Sequence, residues 1–253
     1  MPIAITRAIS QSIVNCELTH LERIPIDLQR AREQHRQYEN ILTSLGCEVI
    51  SLPELPNLPD AVFVEDTAVI LDEIAIITNP GAESRKPEID SISEVLKKYR
   101  NLFQIQSPAT IDGGDVLVIG KKIFVGLSGR SNPEAVNQMQ SRLSEFGYQN
   151  FGIEVKGCLH LKSAVNAVSS NTLLFNPNWV DKNQFAGFDF IEIDETEPFA
   201  ANGLLIGETV IYPNAFPKTK HKLEQNGVKL VLVEADELAK AEGAVTCCSL
   251  ILT

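Results

Sequence analysis

Two adjacent thiols, Cys247 and Cys248, are the first candidates for a nucleophile. A free cysteine has a pKa of about 8.5 and is mostly protonated at neutral pH, so it needs a neighbouring base or cation before it can attack. Of the four histidines, His20, His35 and His221 fall in polar or helical, surface-like contexts. His160, in Gly157-Cys-Leu-His-Leu-Lys162, reads as part of an apolar strand. A lone histidine there is more often a packed core residue than a proton carrier. Acids complete the set: Glu65-Asp66, and Asp112-Gly-Gly-Asp115, whose two glycines allow a bulge or a close backbone approach that turns a carboxylate inward. A thiol, a proton carrier and an orienting acid are what covalent catalysis requires, provided that the fold brings them together.

The remaining cysteines argue for reduced chemistry. Five cysteines with no C-x-x-C pair suggest neither a zinc nor a disulfide framework. The chain carries 22 Lys and Arg against 33 Asp and Glu, a net charge of −11. That balance argues against nucleic acid, whose binding rests on cationic side chains, and suits a cationic small molecule, although solubility alone explains many acidic proteins. No apolar run is long enough to span a bilayer and no signal-peptide pattern opens the chain, so no membrane partner is expected and residence is expected to be cytoplasmic. At 253 residues, one domain over 1–253 can bury a core without covalent staples.

One kind of unit must position these groups, and the sequence repeats it. Two short apolar strands joined by a polar turn are followed by an amphipathic helix and a further strand, a ββαβ pattern. First strands open near Thr67, Asp115, Ala164, Gly203 and Ala244, about 40–50 residues apart, which is the spacing of radial or solenoid repeats. Helices are expected over Asp27–Leu45, Ile89–Arg100, Asn132–Phe146 and Lys218–Gln225, with a weak one in the third unit. The last segment, Ala244–Leu252, reads as one strand whose helix is missing. The N-terminus supplies a strand, a helix and a strand, so a unit shared between the two termini closes a ring. An α/β ring is therefore expected rather than a doubly wound parallel sheet. In such a ring Glu65-Asp66, Asp112 to Asp115, Lys162-Ser163, Ala201-Asn202 and Thr246-Cys247 converge at the start of the first strands, around the axis. Charges at that depth are costly unless paired, which suggests a site.

Taken in order, Phe63-Val-Glu-Asp-Thr67, Ile111-Asp-Gly-Gly-Asp-Val116, Val125-Gly-Leu-Ser-Gly-Arg-Ser-Asn132, Leu159-His-Leu-Lys-Ser163 and Thr246-Cys-Cys-Ser249 resemble the dimethylarginine dimethylaminohydrolases of the pentein, or guanidino-group modifying, superfamily. The resemblance implies a five-bladed α/β propeller with pseudo-fivefold repeats. It also implies hydrolysis of Nω-methylated arginine to citrulline and methylamine or dimethylamine, with no cofactor and no metal. By the same resemblance Cys247 is the nucleophile, His160 the general acid and base, and Asp112 the acid that orients it. Glu65 and Asp66 match acids around the guanidinium, Arg85 and Arg130 match the grip on the α-carboxylate, and Asp60 and the Leu18 carbonyl match contacts to the α-amino group. Asp112 stands where related deiminases often carry Glu. The alternatives are deimination of unmethylated arginine and a non-catalytic pentein binding module, the second opposed by the joint presence of Cys247, His160 and Asp112. A homodimer is left open as the assembly.

Overall fold

Polar turns interrupt the apolar doublets of the sequence and reverse the chain, and Gly120 and Gly207 supply left-handed backbone (φ 57° and 59°) at two of the reversals. The computed structural model describes residues 1–253 and contains fifteen strands in five three-stranded sheets. In chain order these are β1 (Ile3–Arg7) and β2 (Glu48–Leu52), joined by α1 (Leu28–Ser44), then β3 (Ala68–Ile70), β4 (Ile74–Ile77), α2 (Ile89–Leu96) and β5 (Asn101–Gln104). Next come β6 (Val116–Ile119), β7 (Lys122–Leu127), α3 (Pro133–Leu143) and β8 (Gln149–Glu154). The fourth unit is α4 (Leu161–Ala164), β9 (Val165–Ala167), β10 (Thr172–Phe175) and β11 (Asp189–Glu192). The fifth is β12 (Leu204–Ile206), β13 (Thr209–Pro213), α5 (Pro217–Gln225), β14 (Lys229–Val233) and α6 (Asp236–Ala239), and β15 (Leu250–Leu252) follows.

Each sheet repeats one pairing rule. The middle strand runs antiparallel to the first and parallel to the third, as in β4 with β3 and β5. The terminal unit obeys it across the chain ends: β1 pairs antiparallel with β15, Ile3 opposite Leu252, and parallel with β2, Ile3 opposite Glu48. Helices start where their caps are encoded. Asp27 accepts from the Arg30 amide at 3.1 Å, and Asn132 accepts from Ala135 at 3.2 Å ahead of Pro133. The fourth unit has no α-helix in its crossover, only a single 3₁₀ turn over Lys182–Gln184. Aromatic rings fill the space, with Phe124 and Phe185 centroids 5.0 Å apart and Phe175 and Phe190 5.1 Å apart.

Burial is organised by seams rather than by one central core. Ile5 and Leu250 pack with Ile77 and Ile92; Ile76 with Val125 and Met139; Phe124 with Leu173 and Phe175; Leu174 with Val210 and Leu223; Ile211 and Val233 with Ala4 and Leu42. These five clusters lie between successive units, and the last returns to the first, so the chain is the expected five-bladed α/β propeller. A buried Ile or Leu contributes about 1.5–3 kcal/mol, so the seams dominate the stability. No helix is long and apolar enough to cross a membrane.

The first strands of all five units line one axial cavity of about 270 Å³, represented by Val69, Leu117, Ala167, Leu205 and Ile251. Polar groups close it in a continuous network. Lys162 Nζ donates to Glu65 Oε1 at 2.6 Å, and Thr246 Oγ1 donates to Glu65 Oε2 at 2.8 Å. Asn202 Nδ2 donates to the Lys162 carbonyl and to Thr246 Oγ1, both at 3.0 Å, and its Oδ1 accepts from the Thr246 amide at 3.2 Å. Two expectations are corrected here. Residues 244–252 are not one strand, because Thr246–Cys248 forms a 3₁₀ turn and only Leu250–Leu252 extends. His160 is not in a strand but precedes α4 as its N-cap residue. Asn202→Ala leaves the Thr246 amide and the Lys162 carbonyl without this partner; a loss of about 2–3 kcal/mol is expected, seen as a fall in Tm of about 4–12 °C in a thermal melt.

Candidate active site

Short turns before the first strands carry the chemistry. In a 3₁₀ turn successive side chains diverge by about 120°, so neighbours in sequence face different surroundings. Within Val64–Thr67 this sends Asp66 and Glu65 apart. Asp66 lines a small cavity beside Cys247, whereas Glu65 lines the axial cavity and is held by Lys162 and Thr246. Glu65 therefore lies on the axial cavity, and its charge raises the Cys247 thiol.

The cavity at Cys247, about 20 Å³, brings together Asp60, Asp66, Arg85, Arg130, His160 and Cys247 from four units of the ring. His160 Nε2 lies 3.1 Å from Asp112 Oδ2, and Nδ1 faces Asp66 Oδ1 at 3.9 Å. Gly114 makes this approach feasible: a Cβ there would stand 2.6 Å from His160 Nδ1 and 2.7 Å from Asp66 Oδ1. Burial opposes the imidazolium, but Asp66, the hydrogen bond to Asp112 and the charge of Asp115 outweigh it and raise His160 to about 9. Asp66, although buried, is held down to about 2 by His160, Arg85 and the Gly114 amide.

Arg85 is not the solvated loop residue its Ser- and Lys-rich surroundings suggest. It sits buried in a 3₁₀ segment, Glu83–Glu88. Nη1 donates to Asp66 Oδ2 at 2.5 Å, Nη2 donates to Glu88 at 2.7 Å and to the Phe63 and Asp60 carbonyls, and Nε donates to Glu88 at 3.2 Å. Only Nη1 keeps a hydrogen free of these contacts. Arg130 is held more loosely, 3.6 Å from Asp112 Oδ2 and 3.5 Å from Thr19 Oγ1. Asp60 Oδ2 accepts from the Glu17 amide at 3.1 Å. Leu18, next in the chain, packs its half-buried side chain against the core seam beside α1 and does not line the cavity.

The nucleophile pair divides cleanly. Cys247 is half-buried at the cavity and its Sγ accepts from the Ala244 amide at 3.4 Å. Cys248 is buried in the seam with Tyr38 and Leu42. Burial, with Glu65 and Asp66 nearby, pushes the Cys247 thiol well up, so the resting site pairs a neutral thiol with an imidazolium.

Two groups, Glu88 and Glu242, escaped sequence reasoning, and Asp115 was expected at the axis without a role of its own. Asp115, fully buried, accepts from Ser128 and Ser131 hydroxyls at 2.6 Å and from the Leu161 amide at 2.9 Å, tying the Arg130 loop to the helix behind His160. Its place within the Asp112 motif was a signal. Glu88 is readable from its three-residue spacing to Arg85, and Glu242 had no signal beyond its nearness to Cys247.

The family model described as "N,N dimethylarginine dimethylhydrolase, eukaryotic" matches residues 17–250. The N(G),N(G)-dimethylarginine dimethylaminohydrolase of Pseudomonas aeruginosa is 35% identical over 226 residues, 88% of this chain and 89% of that protein. Its namesake in Streptomyces coelicolor is 35% identical over 250 residues, 98% and 96% of the two chains. The chain belongs to the dimethylarginine dimethylaminohydrolase family. A solved structure of the Pseudomonas aeruginosa member, a cysteine-to-serine variant complexed with citrulline, superimposes with a TM-score of 0.94 at 33% identity over 98% of each chain. In this chain Cys247 and His160 line one cavity, and Asp112 pairs with the His160 ring. Asp66, Asp112 and His160 also present ligand atoms within 4.8 Å of one another, and each of the two carboxylates faces an arginine.

Three outcomes are expected from this layout. His160, raised to about 9, adds stability that is complete below about pH 6.5 and disappears as pH rises through 9, while Asp115, raised to about 6 chiefly by burial, favours the folded state below about pH 4 and loses that contribution as pH rises through 6. Asp66, held to about 2, adds stability above about pH 4 that is lost as pH falls toward 2. Thermal melts against pH should therefore decline on both sides of a weakly acidic maximum. Asp112→Asn should lower the His160 midpoint in an NMR titration by at least about one unit. Haloacetamide labelling read by intact mass should modify Cys247, which lines the cavity with His160, and should spare Cys248, which is buried in the seam. Preferential labelling of Cys248 would overturn the assignment of the nucleophile.

Proposed function

We propose that the chain hydrolyses Nω-methylated L-arginine to L-citrulline and dimethylamine or methylamine, with Cys247 as the attacking group. The observation that carries this reading is the convergence of Cys247, the His160–Asp112 pair and the unusually acidic Asp66 on one cavity. A carboxylate ionised at every working pH suits a guanidinium, and a thiol with a raised pKa needs a cation to become a thiolate.

The proposed sequence balances as follows. The substrate cation settles against Asp66, the Cys247 proton leaves to water, and the thiolate forms a bond to the guanidinium carbon. His160 gives its proton to the departing amine as the C–N bond breaks, and a positively charged S-alkylthiouronium remains on Cys247. Neutral His160 then takes a proton from water, the resulting hydroxide adds to the same carbon, and cleavage of the C–S bond expels the Cys247 sulfur, which takes up the hydroxyl proton as the carbonyl forms, so that citrulline leaves with the thiol and the imidazolium restored. Asp112 holds the imidazole and Asp66 aims the carbon, so both act through position in a site with little water.

At the far end of the substrate, Arg130 and the one free hydrogen of Arg85 suit an α-carboxylate, and Asp60, with the Leu18 carbonyl nearby, suits an α-ammonium. Phe63, Leu159, Ala241 and Gly243 form the apolar side of the cavity and suit N-methyl groups. A reducing cytoplasm suits a free thiol nucleophile, and a homodimer remains the proposed assembly.

Parallel incubation with asymmetric dimethylarginine, monomethylarginine and arginine, scored for citrulline, tests the reading. Methylated substrates should exceed arginine in kcat/KM by about tenfold or more, since one methyl in an apolar pocket discriminates by about 10–200-fold. Preference for arginine would make the protein a deiminase, and no citrulline from any of the three would leave a binding module.

A further inference from the structure

The turn that carries the thiol, Thr246–Cys248, opens on Val245, which has no polar side chain to cap it. Its first amide is capped from another unit instead. Asn202, in the segment before β12, accepts from the Thr246 amide through Oδ1 at 3.2 Å and donates from Nδ2 to Thr246 Oγ1 at 3.0 Å. One planar amide thus grips one residue at two points, which fixes both the backbone and the side-chain rotamer of Thr246. Cys247 is one peptide bond further on.

The same atoms close a ring. Thr246 Oγ1 donates to Glu65 Oε2, Glu65 Oε1 accepts from Lys162 Nζ, and the Lys162 carbonyl accepts from Asn202 Nδ2. The path returns to its start through the inner ends of four of the five units. Asn166 braces it from outside, donating from Nδ2 to the Lys162 carbonyl at 2.5 Å and to the Ala201 carbonyl at 3.0 Å. At the far end of the turn the hydroxyls of Ser249 and Tyr38 lie 2.6 Å apart. Thr246, Asn202, Asn166 and Ser249 are all buried, so bulk water does not compete for these bonds. The Cys247 sulfur, by contrast, is held only by the Ala244 amide at 3.4 Å. Its place is therefore set by the turn that carries it.

We propose that Thr246 and Asn202 are positioning residues for the nucleophile: their paired hydrogen bonds, closed into a ring by Glu65 and Lys162, hold the Cys247 sulfur where it can attack the guanidinium carbon. The ring demands particular residue types. Position 246 must donate to a carboxylate and accept from an amide through one oxygen, as a hydroxyl does. Position 202 must donate and accept through one flat group, as an amide does and a carboxylate does not. The proposal rests on the reading of Cys247 as the reacting group.

Thr246→Val keeps the shape and removes the oxygen, Thr246→Ser keeps the oxygen, and Asn202→Ala opens the grip; all three are compared with the parent in the full-length protein, well below their melting temperatures. Thr246→Val and Asn202→Ala should lower kcat for dimethylarginine by about tenfold or more and leave KM within about threefold, because a misplacement of about 1 Å costs about a hundredfold in rate while the contacts to the rest of the substrate persist. Thr246→Ser should return kcat to within about threefold of the parent. Hydrogen exchange at the amides of residues 246 and 247 should speed by about threefold or more in the first two variants, as the loss of a neutral hydrogen bond predicts, and not in the serine variant. Haloacetamide should still spare Cys248 in all three, which separates a displaced turn from an unfolded seam. An unchanged kcat in Thr246→Val and Asn202→Ala, or a serine variant as slow as the valine one, would overturn the proposal. Faster exchange in those two variants without citrulline formation by the parent protein would uphold the grip on the turn and refute the assigned reaction.

Discussion

Asp66 is a carboxylate that water cannot reach, and the surrounding structure is arranged to make that tolerable. Burying an ionised group costs several kcal/mol unless charge and hydrogen bonds meet it. Asp66 is met by the Arg85 guanidinium from its own unit, the Gly114 amide from the next and the His160 ring from the one after that. Three turns from three units must therefore close on one side chain, and Gly114 must lack a Cβ for them to do so. The same charge sets the protons of its neighbours: it raises His160 and helps to keep the Cys247 thiol neutral. A group so placed is also the natural counter-ion for a cation arriving from outside.

The propeller makes such convergence possible because its seams do the stabilising away from the axis. Each apolar cluster joins two units, leaving the short turns at the inner ends free to carry polar groups. The fourth unit shows how tolerant the periphery is. It replaces a helix with a single turn and packed aromatic rings, while α4 at its inner end still presents His160.

Strand pairs and helices are legible in the sequence because they are periodic, and the expected range of α1 agrees with the structure to within one residue at each end. The inner turns are not, since three or four residues of 3₁₀ structure carry no period. Hence residues 244–252 read as a single strand, although the thiol at the cavity is the one expected. Residue type misled in two further places. His35 was read as surface-like, yet it falls on the stripe Ala31, His35, Tyr38, Leu42 that α1 buries. The polar neighbours of Arg85 suggest a solvated loop, whereas its partners Asp66 and Glu88 decide its burial. The pairing of His160 with Asp112 was expected from family resemblance, and no spacing rule foretells contact between residues 48 positions apart.

The pairing of β1 with β15 sets a temporal order on the site. The terminal sheet needs residues from both ends of the chain, and Cys247 lies in the turn just ahead of the strand that completes it. During synthesis Asp66, Asp112 and His160 leave the ribosome long before the thiol does. The final seam, between Ile211 with Val233 and Ala4 with Leu42, brings together segments made at opposite times. Such distant contacts are slow to form. A nascent or opened ring thus holds its acids and imidazole without a nucleophile beside them, and reactivity arises only with closure.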